Sequence, residues 1–372
     1  MYLIKNIEVY SPTYLGKKDV LVSDKIEMIE DNIDSDLFER IDGTHKKLIP
    51  GFIDQHVHIT GGGGEGSFKT KAPEITLSKL TTAGITTVLG LLGTDGISRD
   101  VENLLSKAKA LKEEGLNCLI ISGSYQYPPI TITGDIKKDV QFIDEVVGCK
   151  LALSDHRSSH VTAQELIRLA SDVRVSALLS GKPGILTLHM GDEKQGLSLV
   201  FEALEKTDIP ITLFRPTHVT RNAHLLEDAY QLLKLGGYID MTASPDHQPT
   251  HAIIEAKTRQ LPLSRITISS DGQGSWSHYD QNGQLIKIGV SSVECLFKEF
   301  QYMLTTGFTI EEALPFFTVN AAKGLNLNKG QIELNKDADL ILLDENNDIE
   351  DVMIKGVLHV QNKQLLIKGT YE

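Results

Sequence analysis

The sequence predicts an α/β protein, a (β/α)8 TIM-like barrel with a small β-sandwich domain formed by the N- and C-terminal segments. Three observations support this prediction. Apolar, β-rich runs alternate with stretches of helical period through the middle of the chain. Those runs number eight, and each is hydrophobic enough to be buried on both faces, as parallel strands are. Short strands of alternating polarity occupy both ends of the chain.

The predicted barrel strands are apolar runs that end in polar residues. They cover residues 48–54, 85–92, 118–125, 146–153, 185–189, 211–218, 238–244 and 265–271. The main predicted helices cover residues 98–114, 162–179, 196–206, 222–235 and 290–304, and several open with Ser, Thr or Asn, which cap helix N-termini. Eight strands with crossover helices favour a closed barrel, and an open doubly wound sheet is the alternative.

The two ends of the chain are predicted to pack together. Residues 2–10 and 19–29 have the pattern of short strands, and residues 338–343, 352–354 and 357–360 repeat that pattern at the other end. Short strands are not stable alone and need a packing partner. We therefore predict one small β domain from residues 1–47 and 331–372, and a barrel domain from residues 48–330.

Composition limits the classes of function. The 372 residues include 37 Lys and Arg against 50 Asp and Glu, and this net charge of −13 argues against a nucleic-acid groove. No stretch approaches the roughly 18 to 20 apolar residues that span a bilayer, and the first residues lack the pattern of a secretory signal. Three widely spaced cysteines fit reduced thiols better than disulfides. We therefore expect a soluble, cytoplasmic protein with no nucleic-acid or membrane partner.

Metal-ligating residue types gather at the predicted strand ends. His56 and His58 form a His-x-His pair, and residues two apart in an extended segment point to the same side. His189, His218 and Asp271 each close a later predicted strand. Because barrel active sites are built at the carboxyl ends of the strands, these five side chains are predicted to converge on a metal site.

The ligand types favour zinc at this site. Imidazole nitrogens and a carboxylate suit Zn²⁺, and Mn²⁺, Co²⁺ or Fe²⁺ are open alternatives. Four histidines and one aspartate are few ligands for two ions, so a second ion would need a bridging anion. Lys150, at the fourth predicted strand, offers one, since a neutral lysine amine can add carbon dioxide to form a carbamate. The alternative is a lysine paired with a neighbouring Asp.

Several motifs resemble those of the amidohydrolase superfamily of binuclear metal hydrolases. They are GFIDQHVH, the strand-terminal lysine, then His, His and Asp in that order, and VNAAKGL and KGQIELNKDADLILLD near the end of the chain. The resemblance covers essentially the whole chain. More narrowly, GGGGEG, SDHRS, THVTRN and SSDGQGS are similar to segments of the isoaspartyl (β-aspartyl) dipeptidases.

This resemblance implies a metal-dependent dipeptidase with two zinc ions per subunit. The first zinc would bind the His-x-His pair and Asp271, and the second would bind His189 and His218. Carbamylated Lys150 and a hydroxide would bridge the two ions. The hydroxide would attack the β-aspartyl isopeptide bond, and Asp271 would act as general base and then as general acid.

The resemblance also implies charged contacts to the substrate. An isoaspartyl dipeptide carries a free α-ammonium and two carboxylates. Glu65 is the only charged residue in GGGGEG and would pair with the ammonium. Arg157 in SDHRS and Arg221 in THVTRN would bind the carboxylates through forked hydrogen bonds.

Hydroxyl groups complete the implied site. Thr94 and Ser275 resemble the family's hydroxyl contacts to the substrate. Tyr125 resembles its carbonyl-polarising tyrosine, which would stabilise the oxyanion of the tetrahedral intermediate. Tyr127 would face the same way as Tyr125 in an extended segment, so it is the alternative for this role.

Other functions share parts of this pattern. Another amidohydrolase, acting on a cyclic amide such as dihydroorotate or a hydantoin or on an N-acyl amino acid, would use the same metal chemistry. Glu65 argues against a cyclic substrate, because a monoanion without an ammonium has little use for a carboxylate. A non-catalytic scaffold is disfavoured, since every ligand position holds a competent residue. The resemblance implies a homo-oligomer, and its size, the leaving-residue preference and the metal used in the cell stay open.

Overall fold

β-strands occur at both ends of the chain and in its centre. The structure is a computed structural model that describes residues 1–282 and 284–372, without the side chains of residues 277–279. In chain order the strands are β1 (Tyr2–Tyr10), β2 (Tyr14–Val22), β3 (Ile26–Glu30), β4 (Glu39–Asp42), β5 (Lys47–Pro50), β6 (Phe52–Val57), β7 (Ile85–Gly90), β8 (Asn117–Gly123), β9 (Val146–Leu153), β10 (Ile185–Met190), β11 (Phe214–Thr217), β12 (Ile239–Thr242), β13 (Ile266–Ser269), β14 (Ser275–Tyr279), β15 (Leu285–Val290), β16 (Leu340–Leu343), β17 (Ile349–Ile354), β18 (Val357–Gln361) and β19 (Gln364–Leu365).

Helices fall mostly between the central strands. They are α1 (Leu77–Thr81), α2 (Val101–Glu113), α3 (Ile136–Phe142), α4 (Ala163–Ser180), α5 (Ser198–Lys206), α6 (Ala223–Lys234), α7 (Gln248–Thr258), α8 (Glu294–Thr305), α9 (Ile310–Ala313) and α10 (Val319–Leu325). Among the residues that the structure describes, none of these helices combines the length and the apolar character needed to cross a bilayer.

A nine-stranded sheet draws strands from both ends of the chain. Its order is β19-β18-β17-β16-β5-β1-β2-β3, and β4 pairs with β1. The ends are joined by the antiparallel pairing of β16 with β5, in which Leu342 lies opposite Leu48. Inward-facing side chains from both ends, among them Ile7, Val20 and Met353, form one buried apolar cluster. The two ends of the chain are thus hydrogen-bonded to each other and share a core.

A curled parallel sheet occupies the centre of the chain. Six strands follow the order β11-β10-β9-β8-β7-β6, and β12 and β13 form a separate parallel pair. The pair approaches both edges of the six-stranded sheet. The His58 amide donates to the Gly272 carbonyl at 2.9 Å, and the Val219 amide donates to the Asp240 carbonyl at 3.4 Å. The mixed α/β content and the parallel strands agree with the predicted fold class.

Three predicted strands differ from those observed. The predicted strand 19–29 is the end of β2 and most of β3, which residues 23–25 separate. The predicted strand 48–54 is two strands, because the chain leaves the nine-stranded sheet at Pro50 and enters the parallel sheet at Phe52. Gly51 permits this passage, since a Cβ there would overlap the side chain of Thr86. The predicted strand 211–218 begins as a 3₁₀ turn, Ile211–Leu213, and becomes extended only from Phe214.

The hairpin of β14 and β15 was absent from the predicted elements. These strands pair antiparallel, with Trp276 opposite Gly289. A Cβ at Gly289 would overlap the Trp276 ring, so the glycine makes room for the indole. Because Val290 ends β15, the helix predicted from residue 290 begins only at Glu294. The Asn-Gly dipeptide at 282–283 is the sequence signal for a hairpin.

The predicted helix caps are confirmed at two positions. The Thr162 side chain accepts from the Glu165 amide, and the Glu165 side chain accepts in return from the Thr162 amide, which completes a capping box on α4. The Asn222 side chain accepts from the Leu225 amide at 2.9 Å and caps α6. At α2 the cap is Asp100 rather than the predicted start at residue 98.

Candidate active site

The predicted metal ligands gather at the carboxyl ends of the parallel strands. His56 and His189 lie in β6 and β10, while His218 and Asp271 follow β11 and β13. A cavity of about 1230 Å³ opens above them and is lined by His58, His189, His218 and Asp271. Lys150, in β9, lies below the cavity and is completely buried. Strand polarity alone brings together residues that are up to 215 positions apart, from 56 to 271.

Two histidines and the aspartate form a compact group. The Asp271 Oδ1 atom lies 3.1 Å from His58 Nε2 and 3.5 Å from His56 Nε2. One ligand atom from each of the three residues lies within 4.8 Å of the other two. The Nδ1 atoms of both histidines are buried and have no hydrogen-bond partner among the described residues. Such a buried, polar, converging group fits a cation better than it fits an ordinary core.

The surroundings of these groups favour the protonation states that bind metals. Desolvation lowers the pKa of His56 well below its usual value, and the nearby Lys150 charge adds to the effect. Burial opposes ionisation of Asp271, but the hydrogen bond with His58 and the surrounding positive charges outweigh it and lower the pKa. Neutral imidazole and ionised carboxylate are the forms that ligate a metal ion.

The backbone is strained at two of the predicted ligands. His218 has a φ of 62° and Asp271 a φ of 52°, so both adopt the left-handed conformation that non-glycine residues seldom populate. Strain of this kind costs about 1–3 kcal/mol per residue and clusters at functional sites. The His218 Nδ1 atom lies 2.6 Å from Thr242 Oγ1, which leaves Nε2 as the atom available for a ligand.

His189 is engaged by protein groups. The Tyr125 hydroxyl lies 2.9 Å from its Nδ1, and an Asp155 carboxylate oxygen lies 3.1 Å from its Nε2. The ring centroids of His189 and His218 are 4.6 Å apart. Among the described residues, the converging group therefore comprises the first two histidines and Asp271, with His189 and His218 beside it.

Lys150 is a buried amine in an unusual environment. Its Nζ donates to the Leu92 carbonyl at 2.7 Å and lies 3.4 Å from His56 Nε2. No ion pair joins it to a carboxylate among the residues described. The alternative prediction, a lysine paired with a neighbouring Asp, therefore has no support among these residues. Desolvation lowers its pKa to about 7. A substantial neutral fraction at neutral pH follows, and only the neutral amine adds carbon dioxide.

Glu65 is held in place by three predicted substrate contacts. Its carboxylate accepts from Thr94 Oγ1 at 3.0 Å and from Ser275 Oγ at 2.9 Å. Arg157 Nη1 lies 3.4 Å from the same carboxylate. The Glu65 side chain is only 8% exposed and lines the cavity. The structure thus brings four of the predicted substrate-binding residues into one cluster.

Asp155 is a site residue that the sequence reasoning missed. It accepts two hydrogen bonds from the Arg157 guanidinium, at 2.9 and 2.7 Å, and also contacts His189. Burial opposes its ionisation, but these hydrogen bonds hold the pKa of Asp155 well below its usual range. The signal was available, since Asp155 stands two residues before Arg157 in SDHRS.

The two candidate tyrosines occupy different environments. Tyr125 lines the cavity and contacts His189, whereas Tyr127 packs partly buried against the apolar core. Burial raises the pKa of Tyr125, which keeps its hydroxyl protonated as a hydrogen-bond donor. Arg221 also lines the cavity, and its Nη1 lies 3.6 Å from an Asp192 carboxylate oxygen.

The candidate site has two features that are typical of enzyme sites. Polar and ionisable residues lie at the carboxyl ends of a curled parallel sheet, and they lie beneath one large cavity. The sequence model of the Amidohydrolase family matches residues 48–358. The chain belongs to the amidohydrolase family, as its motifs predicted, and is a hydrolase.

Individual relatives refine this assignment. The chain is similar to a β-aspartyl dipeptidase from Fervidobacterium islandicum AW-1 solved in complex with a β-Asp-Leu dipeptide. The identity is 44%, the TM-score is 0.95, and 98% of each chain is covered. A second structure of that enzyme gives 42% identity and a TM-score of 0.92, again over 98% of each chain. A dihydroorotase from Listeria monocytogenes serovar 1/2a is 23% identical over a gapped alignment 417 residues long, which takes in 92% of this chain and 89% of the relative. The predicted resemblance to the β-aspartyl dipeptidases is confirmed.

Proposed function

We propose that this protein is a β-aspartyl dipeptidase, a metallopeptidase that hydrolyses the isopeptide bond of isoaspartyl dipeptides. The observation that carries the proposal is the Glu65 carboxylate, which is fixed by Thr94 and Ser275 beside the group of metal-ligating residues. A dipeptide with a free α-ammonium supplies the charge that complements it. The 44% identity to an enzyme crystallised with β-Asp-Leu supports the same substrate class.

We propose that the residues present hold two zinc ions. His56, His58 and Asp271 would hold the first, His189 and His218 the second, and a carbamate formed on Lys150 would bridge them. The buried Lys150 amine, which forms no ion pair with a carboxylate among the described residues and has a pKa of about 7, supports the carbamate. When bound, two zinc ions would lower the pKa of water and polarise the scissile carbonyl.

Two side chains would move a proton or donate a hydrogen bond during the reaction. The Asp271 carboxylate would accept a proton from the attacking water and deliver it to the nitrogen of the leaving amine. The Tyr125 hydroxyl would donate a hydrogen bond to the carbonyl oxygen as it gains negative charge. Tyr125 now contacts His189 at 2.9 Å, so this contact would be exchanged for the substrate.

Charged groups at the cavity wall would orient the dipeptide. Glu65 would bind the α-ammonium, and the hydroxyls of Thr94 and Ser275 would contact the aspartyl group. Arg221 would bind one carboxylate, since its contact with Asp192 is long at 3.6 Å and leaves the guanidinium available. Arg157 donates to Asp155 through Nε and Nη2, which leaves Nη1 to face Glu65 and a substrate carboxylate.

A second candidate function is hydrolysis of a cyclic amide. Its specific support is the similarity to a dihydroorotase at 23% identity over 92% of this chain. Against it stands Glu65, whose buried carboxylate would repel an anionic ring without an ammonium. An N-acyl amino acid substrate meets the same objection. A non-catalytic scaffold would have no need of the strained backbone at His218 and Asp271.

The architecture that carries this site is also part of the proposal. We propose that β6 to β13 close into one (β/α)8 barrel, formed by residues 48–330. The contacts of β12 and β13 with both edges of the six-stranded sheet support closure. We propose that residues 1–47 and 331–372 form a small β-sandwich domain around their shared apolar cluster. A cytoplasmic homo-oligomer completes the proposal, and light scattering of the purified protein measures the oligomer mass.

A substrate panel tests the function. The zinc-loaded protein is expected to hydrolyse β-Asp-Leu and to leave α-linked Asp-Leu intact. Metal analysis of the same sample is expected to give two zinc ions per subunit. Turnover of dihydroorotate without turnover of any β-aspartyl dipeptide would refute the proposed substrate and retain the amidohydrolase family.

A further inference from the structure

A second cavity lies at the opposite ends of the parallel strands. Its volume is about 270 Å³. Gly184 and Tyr238, which line it, directly precede β10 and β12, and Arg215 is the second residue of β11. The cavity therefore opens at the amino ends of the strands, whereas the candidate active site lies at their carboxyl ends. We call it the basal cavity.

The lining of the basal cavity is strongly basic. It includes Arg174 from α4, Arg215, Arg265 and Lys323 from α10, and neither Asp nor Glu is among the described residues that line it. None of these four cations forms an ion pair within the described part of the chain, where thirty such contacts occur. In a chain with a net charge of −13, four uncompensated cations around one small cavity call for an external anion.

Arg215, which lines the basal cavity, has an unsatisfied buried donor. Its guanidinium stacks on the Tyr238 ring at 3.6 Å from the centroid, which fixes the plane of the fork. Nη2 donates to the Gly324 carbonyl at 2.9 Å, but Nη1 is buried and has no hydrogen-bond partner among the described residues. A buried donor left unmade costs about 1–3 kcal/mol. A ligand acceptor would remove this cost.

The nearest buried acid does not neutralise the cluster. Asp240, in β12, already accepts hydrogen bonds from Gln55, Thr217, Thr267 and Ser269 at 2.6 to 2.9 Å. Its oxygens are therefore committed to the interior of the parallel sheet. Desolvation lowers the pKa of Arg215 to about 10, so the guanidinium is still a cation at neutral pH.

The remaining donors are available to a ligand. Arg265 uses Nη1 to donate to the Gly236 carbonyl and keeps its other N–H groups. The side chains of Arg174 and Lys323 have no hydrogen-bond partner among the described residues, and Thr212 adds a hydroxyl to the lining. Donors thus approach the cavity from α4, β11, α10 and the turn before β13.

We propose that the basal cavity binds a phosphate group, carried by inorganic phosphate or by a small phosphate monoester. A tetrahedral dianion offers oxygen acceptors in several directions, which matches donors that arrive from four separate elements. A single carboxylate is planar, carries one charge and satisfies fewer of them. This site is independent of the proposed dipeptidase activity.

Binding is tested by calorimetry and thermal unfolding at constant ionic strength. The ligands are inorganic phosphate and glycerol 3-phosphate, with chloride as the reference anion. The test variant is the double substitution Arg174→Gln and Lys323→Gln, because both residues line the cavity and neither forms an ion pair among the described residues. The matched control is Arg168→Gln, an exposed arginine on the same helix that does not line the cavity.

Saturable binding of phosphate to the wild type and to Arg168→Gln is expected, with an affinity at least about tenfold weaker in the double variant. Tighter binding of glycerol 3-phosphate would identify a phosphate ester as the ligand, and equal binding would identify inorganic phosphate. Binding that is unchanged in the double variant would place the anion elsewhere, for instance at the candidate metal site, and would overturn the proposal. Absence of saturable binding, or a double variant that only changes the oligomer mass, would also overturn it.

Discussion

Replacing Glu65 by Gln isolates the contact that sets the proposed substrate class. The substitution keeps the shape of the side chain and its contacts with Thr94 and Ser275, but it removes the charge. At an effective dielectric constant of about 20, opposite charges about 4 Å apart attract by about 4 kcal/mol. Truncating one partner of a desolvated charge pair costs about 2–5 kcal/mol. We therefore expect kcat/KM for β-Asp-Leu to fall about 30- to 900-fold, which corresponds to about 2–4 kcal/mol.

The assay compares two substrates in two proteins. N-succinyl-leucine is β-Asp-Leu without the α-amino group, so the wild type should hydrolyse it poorly and Glu65→Gln should lose little further activity on it. The coupling between the two changes then measures the ammonium contact alone. Glu74→Gln is the control, since this exposed carboxylate forms an ion pair with Lys107 at 3.4 Å and with no other described residue. If Glu65→Gln reduced kcat/KM equally for both substrates, Glu65 would not bind the ammonium and the reasoning would be refuted.

Three further outcomes are expected. Lys150→Ala should lose activity and zinc, and short-chain carboxylic acids should partly restore the activity. In the wild type, reactivation of the apoprotein by zinc and bicarbonate should weaken below the amine pKa of about 7, because the ammonium form then dominates. Full activity of Lys150→Ala, measured with metal content, would exclude the carbamate. Tyr125→Phe should lower kcat about 100-fold or more, whereas Tyr127→Phe should change it little, and the reverse order in steady-state kinetics would exchange their roles. Asp155→Asn should destabilise the protein by about 3 kcal/mol in urea unfolding, because it removes the charge of the carboxylate that accepts two hydrogen bonds from Arg157 and leaves that guanidinium with its longer 3.4 Å contact to Glu65. The same change at exposed Asp36, which pairs with Arg40, should cost less than about 1 kcal/mol, and equal losses would contradict this account.

Strand polarity explains why so much of the candidate site was predictable. Each ligand-type residue follows or lies in an apolar run, and parallel strands place all their carboxyl ends on one side. His56, His189 and Asp271 could therefore be grouped without any knowledge of contacts. The local spacing of His-x-His added the direction of two side chains.

Strand polarity does not predict contacts between loops. Asp155 follows a strand, but only the folded loop turns its carboxylate onto Arg157 and His189. The choice between Tyr125 and Tyr127 depended on the folded course of their segment, which places Tyr125 at the cavity and Tyr127 against the apolar core. The β14–β15 hairpin carries Ser275, and its sequence alternates only weakly between polar and apolar residues. The predicted helix 290–304 also overlapped the end of β15 at Val290.

The amino-acid order by itself determined the α/β class, the family and the predicted ligand-type residues that lie together at the strand ends, because hydrophobic period and strand-end chemistry are local properties of the chain. Only the tertiary structure decided which donors meet Glu65, how the Arg157 fork is shared, and that four cations from α4, β11, α10 and a turn meet around a basal cavity. Those arrangements depend on distances between segments far apart in the chain, and burial then sets the charge states that local sequence leaves undetermined.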